Sequence, residues 1–190
     1  MGLSVISWAV MGLWDSSPAA RTTTVRVCIT GLNSVVGCLF LLRSSGIRHG
    51  SLGSILICIP SFVVCGWAFQ AARRVEVWPL YAEGTFAAGT TLAIVSFLYL
   101  GRSFAILPAV RAIVNGGPYR FIRHPAYLGE FTMILACFLS NPRLGTLGSL
   151  ALSIPAIVAR IHTEEKLLAS ESSYQEYRQQ VRWRLLPGLW

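Results

Sequence analysis

The chain has 190 residues, of which 54% are hydrophobic and only 13% are charged. An ordinary soluble domain carries about a quarter charged residues, so this composition excludes a typical soluble protein. The formal net charge is +8, but the basic residues flank long uncharged runs, which indicates contact with anionic membrane lipids and argues against nucleic acid as a partner.

Residues 1–14 form an apolar stretch that is too short to span a bilayer, and we predict an interfacial or partly inserted helix there. The stretch lacks a basic N-terminal segment, so no cleavable signal peptide is predicted. The next three uncharged runs, residues 25–42, 51–72 and 84–101, are long enough to cross the hydrocarbon layer at about 1.5 Å per helical residue. Pro60 predicts a kink in the second run.

Two shorter apolar runs, residues 125–140 and 144–159, are separated only by Asn141, Pro142 and Arg143. So tight a break predicts a helical hairpin. The predicted fold class is therefore an all-α integral membrane protein with about five transmembrane helices. Residues 1–115 supply the N-terminal spans and the start of a polar loop, and residues 116–190 add the hairpin and a C-terminal helical cap.

The charge distribution predicts the orientation of these spans. Five spans put the termini on opposite sides, and the two sides then carry different numbers of basic residues. The positive-inside rule makes the richer side cytoplasmic, with the N-terminus outside and the C-terminus inside. The poorer side holds Arg21, Arg26, Arg73, Arg74 and Arg143, and the richer side holds Arg43, Arg48, Arg102, Arg111, Arg120, Arg123, Arg160, Lys166, Arg178, Arg182 and Arg184.

The cysteines are interpreted as packing residues. All of them lie in apolar runs, with no CxxC pair and no histidine at ligand spacing, so neither a metal site nor a disulfide framework is predicted. They are Cys28, Cys38, Cys58, Cys65 and Cys137.

The segment GGPYRFIRHPAYLGE, residues 116–130, is the first with polar residues suited to chemistry. Its Gly-Gly-Pro start predicts a turn. Pro125 suits the first position of a helix, which puts His124 at the N-cap. The free amides that follow, with the positive end of the helix dipole, predict a seat for a carboxylate or phosphate.

Other side chains of this segment crowd the same seat. These are Arg120, Arg123 and His124, and Tyr119 and Tyr127 offer aromatic faces with hydroxyls. The alternative is an arginine-rich loop that anchors lipid headgroups. Glu130 weighs against that alternative, because an acid one turn into a membrane helix is costly and usually functional.

The second polar segment, residues 159–190, continues the last apolar run without a helix breaker. Arg160 and Glu164 lie four residues apart on one helical face. Glu164 and Glu165 point about 100° apart, so at most one is expected in an internal ion pair, and the other is left to face a cationic ligand. The alternative is a solvated helix face. Tyr174 and Tyr177 are interpreted as packing residues, and Arg182, Trp183 and Arg184 as interfacial anchors.

These motifs together are similar to those of a known family. GPYRFIRHPAYLGE, Asn141-Pro142, RIHTEEKLL, Tyr174 with Tyr177, and the closing RWRLLPGLW resemble the isoprenylcysteine carboxyl methyltransferase family, in particular its short prokaryotic members. Related phospholipid methyltransferases share part of the pattern. The resemblance covers about residues 116–190. RHPxYxG alone also occurs in membrane sterol-type reductases, whereas its combination with RxxxEE and RxRLLPG is more specific.

The resemblance implies a membrane helix bundle with an S-adenosylmethionine site on its cytoplasmic side, capped by the C-terminal segment. It also implies methyl transfer to a lipophilic substrate that enters from the bilayer. The loop and helix start would bind the cofactor, and Arg160 would lie near the reacting groups. The candidate cofactor-binding residues are Tyr119, Arg120, Arg123, His124, Pro125, Tyr127, Gly129, Glu130 and Glu165, and the candidate catalytic residues are Arg160, Glu164 and Glu165.

Two other functions compete with this interpretation. One is a nicotinamide-dependent membrane reductase that shares RHPxYxG, although such proteins are longer and have more spans. The other is a membrane protein without catalytic activity. We predict a methyltransferase whose acceptor is a carboxylate of the isoprenylcysteine kind. Another thiol or acid on a long tail, and a phospholipid amine, are the alternative acceptors.

Overall fold

The computed structural model describes residues 23–42, 48–72, 75–104, 109–110 and 112–190. Six α-helices lie in these ranges: α1 (Thr23–Leu42), α2 (Leu52–Ala72), α3 (Leu80–Leu100), α4 (Pro125–Ser140), α5 (Leu144–Leu168) and α6 (Ser172–Gln180). Short 3-10 turns occupy Gly101–Ser103 and Gly117–Arg120, and two-residue strands occupy β1 (Arg48–His49) and β2 (Ala109–Val110). The predicted helix at residues 1–14 lies outside the described residues.

The predicted all-α membrane fold is confirmed. Helices α1, α2 and α5, and the stretch Leu80–Ser103 that contains α3, are long and apolar enough to cross a membrane, and α4 is a shorter apolar helix. Their outer faces carry exposed leucine, isoleucine and valine side chains, as a surface in contact with lipid requires. Helix α2 runs unbroken through Pro60. Helix α5 continues beyond the apolar run, which ends near residue 159, to Leu168, as the absence of a helix breaker there predicted.

Helices α3 and α4 pack closely through two glycines. A Cβ atom added to Gly129 would lie 2.7 Å from the backbone oxygen of Gly89, and one added to Gly89 would lie 2.9 Å from the oxygen of Gly129. Small residues let membrane helices approach in this way, so that van der Waals contacts can stabilise the pair. The contact continues into a core that includes Ala93 and Met133. The α3–α4 contact therefore fixes where α4 lies relative to α3.

The turn between α4 and α5 is fastened to the end of α2. Asn141 Nδ2 donates a hydrogen bond to the backbone oxygen of Ala71 at 3.1 Å. The buried Thr146 hydroxyl contacts the backbone oxygens of Asn141 and Arg143. These bonds satisfy backbone groups that the break in the hairpin leaves without helical partners. The predicted hairpin is thus confirmed, and its turn lies at the same end of the bundle as the end of α2.

The opposite end of the bundle gathers the polar connections. Strand β1, which follows α1, pairs antiparallel with β2, which follows α3. The turn Gly117–Arg120 contacts α3 near the same end, and Tyr99 fills the space beside Gly117, which has a positive φ of 55°. Such a backbone angle favours glycine. The connections that the charge distribution put on one side therefore do lie together.

Candidate functional site

A cavity of about 490 Å³ opens among the helices and combines two kinds of wall. Helices α1 to α3 supply an almost entirely apolar wall. The residues between the 3-10 turn Gly117–Arg120 and α6 supply a wall of arginine, histidine, glutamate and tyrosine. The apolar wall includes Leu32, Val36, Phe62, Phe69, Ala93 and Phe97, and the polar wall includes Tyr119, Arg123, His124, Tyr127, Glu130, Arg160, Glu164, Tyr174 and Tyr177.

The start of α4 has the predicted geometry. His124 is the N-cap and Pro125 the first helical residue, a position where the missing proline N–H costs nothing. The amides of Tyr127 and Leu128 both donate to the backbone oxygen of His124, at 3.2 and 3.3 Å. The amides at the predicted anion-binding position are therefore partly used within the helix, and the Arg123 side chain supplies positive charge there beside the His124 ring.

The carboxylate of Glu165, a residue of the protein itself, pairs with these side chains. Glu165 Oε1 lies 3.2 Å from both Arg123 Nη1 and His124 Nε2, and Glu165 Oε2 lies 2.9 Å from Arg184 Nε. Its side chain is 9% exposed, so these pairs are only weakly screened by solvent. Glu165 thus forms internal ion pairs and does not line the cavity.

The C-terminal segment, residues 181–190, covers this cluster. The amides of Arg123 and His124 donate to the backbone oxygens of Trp183 and Arg184, both at 2.9 Å. Leu185 and Trp190 pack against Tyr127 and its apolar neighbours in α5. The prediction that Arg184 is an interfacial anchor is wrong, because its side chain turns inward to Glu165; Arg182 and Trp183 remain exposed.

Glu164 takes the other direction and lines the cavity. Its carboxylate accepts a short hydrogen bond from the Tyr127 hydroxyl. Arg160 Nε lies 3.9 Å away and His124 Nδ1 lies 4.0 Å away. The two adjacent side chains point in different directions, and only Glu164 lines the cavity. The prediction that at most one of them forms an internal ion pair is wrong, because Glu164 pairs with Arg160 while Glu165 pairs with Arg123 and Arg184.

Arg160 lies where the apolar and polar walls of the cavity meet. It is 5% exposed, and its guanidinium lies 3.7 Å from Glu130 Oε2. The rings of Phe62 and Tyr127 lie against the guanidinium, with their centroids 4.4 and 4.7 Å from Cζ. Glu130, an acid within an apolar helix, is therefore paired rather than isolated.

Three tyrosines form an aromatic part of the polar wall. Tyr177 donates a hydrogen bond to the backbone oxygen of Tyr119 at 2.8 Å. The Tyr174 hydroxyl is buried near the Glu165 carboxylate, without a hydrogen bond of ordinary length to the residues in the described ranges. Burial raises the pKa of all three hydroxyls, so they remain protonated donors at neutral pH. The sequence analysis interpreted Tyr174 and Tyr177 as packing residues only and missed that they line the cavity. Their position on one helical face could have indicated a shared role.

Four sequence candidates lie outside the cavity lining. Arg120 is exposed on the 3-10 turn. Pro125 starts α4, Gly129 packs against Gly89, and Glu165 holds the basic cluster. The other seven candidates line one cavity. Within the described ranges, no three histidine, cysteine or acidic side chains are grouped to hold a metal ion.

Residues 83–170 match the sequence model of the isoprenylcysteine carboxyl methyltransferase family. A comparison with curated proteins finds no significant match. The matched residues include α4, α5 and most of α3, and they contain seven of the nine polar-wall residues named above. The family resemblance is confirmed, and it indicates a multi-pass membrane methyltransferase. Through residues 83–170, this chain is similar to the isoprenylcysteine carboxyl methyltransferase family.

Proposed function

We propose that the protein is an S-adenosylmethionine-dependent methyltransferase whose acceptor is the carboxylate of a lipophilic, isoprenylcysteine-like molecule. One observation carries the proposal: a single cavity joins an apolar wall from three membrane spans to a polar wall of ionisable residues. An acceptor with a greasy tail and a polar reacting group needs both walls. The cavity volume lies within the usual range for small-molecule sites.

The polar wall fits the chemical groups of the cofactor. The tyrosines of this wall offer flat faces for a purine ring, and the buried Tyr174 hydroxyl offers a donor to a ligand. The Glu164 carboxylate suits an amino group or ribose hydroxyls. Arg123 and His124 also border the cavity and would hold the cofactor carboxylate, sharing these side chains with Glu165. These donors, acceptors and aromatic faces are of the kinds that S-adenosylmethionine requires, which supports it as the proposed cofactor.

When bound, S-adenosylmethionine supplies a methyl group on a positively charged sulfur. The protein's contribution is to exclude water and to align the acceptor. Opposite charges disappear as such a transfer proceeds, so a dry site favours the transition state over hydrated ions. An ionised carboxylate needs no general base, whereas an amine would. Arg160 lies where the two walls meet, which suits it to orient the acceptor carboxylate.

Entry of the acceptor from the bilayer follows from the same arrangement. The apolar wall belongs to helices that contact lipid, so a lipid tail can stay in an apolar environment while its head reaches Arg160. We propose that membrane lipids surround the spans, that the N-terminus is outside the cell, and that the polar wall and the C-terminus are cytoplasmic. The excess of basic residues on that side supports this orientation.

Ligand binding and group transfer test the proposal together. The protein in detergent is titrated with S-adenosylmethionine, S-adenosylhomocysteine and NADPH in a calorimeter. It is then incubated with cofactor labelled in the methyl group and N-acetyl-S-prenylcysteine, or with a total lipid extract. We expect binding of the two sulfur compounds, no binding of NADPH, and base-labile methyl ester in the prenylcysteine. Binding of NADPH alone, or label that appears only on amines, would contradict the proposal.

A further inference from the structure

Helix α2, which lies outside the family match, touches the guanidinium of Arg160 with two consecutive residues. Arg160 Nη1 lies 3.1 Å from Ser61 Oγ, and the Phe62 ring centroid lies 4.4 Å from Arg160 Cζ. The Tyr127 ring of α4 also lies against the guanidinium, with its centroid 4.7 Å from Cζ. The guanidinium thus contacts two aromatic rings and a serine hydroxyl.

The hydroxyl of Ser61 is oriented to accept from Arg160. Its own proton goes to the backbone oxygen of Cys58, at 2.9 Å. The lone pairs of the oxygen therefore remain for the arginine, which can only donate. Ser61 is 2% exposed, so water does not compete for this bond. A hydrogen bond to a charged group in such a site is stronger than one between neutral partners.

The carboxylates near Arg160 constrain the orientation of its guanidinium less tightly than Ser61 does. Glu130 and Glu164 lie 3.7 and 3.9 Å from its nitrogens, which is longer than the roughly 2.7–2.9 Å of a charge-assisted hydrogen bond. The plane of a guanidinium is set by its bonds and by the rings stacked on it. Ser61 and Phe62 therefore contribute directly to where Arg160 points.

We infer that Ser61 and Phe62 are positioning residues that aim Arg160 at the head of the acceptor. The inference rests on the proposed function, since it assigns the acceptor carboxylate to Arg160. Phe62 also lines the cavity, as do Cys65 and Phe69 one and two turns further along the same face of α2. Helix α2 then contacts the tail of the acceptor and also orients Arg160, which binds the head of the acceptor. The positions of the tail and the head therefore depend on the same helix.

Kinetic and binding measurements on α2 variants test the inference. Ser61→Ala and Phe62→Leu are each expected to lower kcat/KM for N-acetyl-S-prenylcysteine by about tenfold or more, the loss that corresponds to one charged hydrogen bond or stacked ring. The Kd for S-adenosylhomocysteine should change less than about twofold, because neither residue belongs to the polar wall. Phe62→Tyr keeps the ring over the guanidinium and should retain most of the activity.

Ser149→Ala is the matched control. Ser149 is also buried in a membrane helix and donates to a backbone oxygen three residues before it, Thr146, at 2.8 Å, but it does not contact Arg160. This control should behave as the wild type. Unchanged kcat/KM in both Ser61→Ala and Phe62→Leu would overturn the inference. An equal loss of S-adenosylhomocysteine binding would also overturn it, since that loss indicates a general effect on the fold. Phe62 is partly exposed, so its variants remain informative if Ser61→Ala fails to fold.

A binding measurement separates this inference from the proposed function. The Kd of N-acetyl-S-prenylcysteine is measured by intrinsic fluorescence without cofactor. If the wild type binds this probe but does not methylate it, the proposed function fails, and the inference is still judged by whether Ser61→Ala and Phe62→Leu weaken the Kd. A wild type that neither binds nor methylates the probe would overturn both.

Discussion

Glu165 Oε2 accepts a hydrogen bond from Arg184 Nε at 2.9 Å, and this ion pair fastens the C-terminal segment, residues 181–190, to α5. The other oxygen of the same carboxylate meets Arg123 and His124 at the start of α4. One acid therefore joins three parts of the chain that are distant in sequence. The positive charge predicted to hold an external anion is in large part balanced from within the protein.

Removing the charge of Glu165 tests that role. Glu165→Gln keeps the shape but leaves Arg123 and Arg184 without their carboxylate. Breaking a buried ion pair from one side costs about 3 kcal/mol, so we expect a clearly lower midpoint of thermal unfolding in detergent. The C-terminal segment should also become sensitive to trypsin at Arg182 and Arg184. Glu176→Gln, at an exposed position, is the control, and equal trypsin resistance of both variants would contradict the assignment.

Glu164 is expected to respond differently from its neighbour. Because its carboxylate lines the cavity, Glu164→Gln should weaken binding of S-adenosylhomocysteine by about tenfold or more, which is the usual cost of losing a charged hydrogen bond to a ligand. Resistance of residues 181–190 to trypsin should stay as in the wild type. Calorimetry and proteolysis on the same preparation check both outcomes. Wild-type affinity in this variant would remove Glu164 from the proposed site.

Two tyrosines on α6 offer a matched pair of substitutions. Tyr177→Phe removes the bond to the Tyr119 backbone oxygen and should lower the free energy of unfolding by about 1 kcal/mol. Tyr174→Phe removes a buried hydroxyl that makes no hydrogen bond of ordinary length to the described residues, so stability should fall by less than in Tyr177→Phe. Its affinity for S-adenosylhomocysteine should nevertheless fall. Unchanged affinity would show that the Tyr174 hydroxyl does not reach the ligand.

Gly129 is predicted to matter for helix packing more than for ligand contact. In Gly129→Ala the new methyl group would meet the backbone of α3 at Gly89 and Ala93, at 2.7 and 2.9 Å. Backbone cannot yield as a flexible side chain can, so we expect a loss of about 2 kcal/mol or more in stability. Gly84→Ala on α3 has open space around its Cβ position and should be neutral or slightly stabilising. Equal unfolding midpoints for the two variants would contradict this role.

The proposed orientation can be tested with single added thiols. Arg143→Cys lies at the hairpin turn, and Arg178→Cys lies on α6 at the opposite end; both positions are exposed. A membrane-impermeant maleimide added to intact cells should label Arg143→Cys and should label Arg178→Cys only after the membrane is permeabilised. The wild type, whose cysteines lie within helices α1, α2 and α4, gives the background. The reverse labelling pattern would invert the proposed topology.

Much of the secondary structure followed from local signals. The run of residues 125–140 coincides with α4 because Pro125 starts a helix and Asn141-Pro142 ends it, whatever packs around them. The continuation of α5 past residue 159, where the apolar character fades, followed from the absence of a helix breaker, and the structure places its end at Leu168. Hydropathy reports contact with lipid, whereas a helix ends only where a residue interrupts its backbone hydrogen bonds.

The sequence by itself determined a membrane helix bundle and a polar region near its C-terminal end, because both depend on composition and on motifs of adjacent residues. Only the tertiary structure decided which polar residues face the cavity. Glu164 and Glu165 are adjacent residues of the same type, so the sequence alone does not distinguish them. The helix separates their side chains by about 100°, and in the structure Glu164 faces the cavity while Glu165 faces Arg184. Ser61 and Arg160 are 99 residues apart in the sequence. Their contact results from the packing of α2 against α5, so no local sequence pattern predicts it.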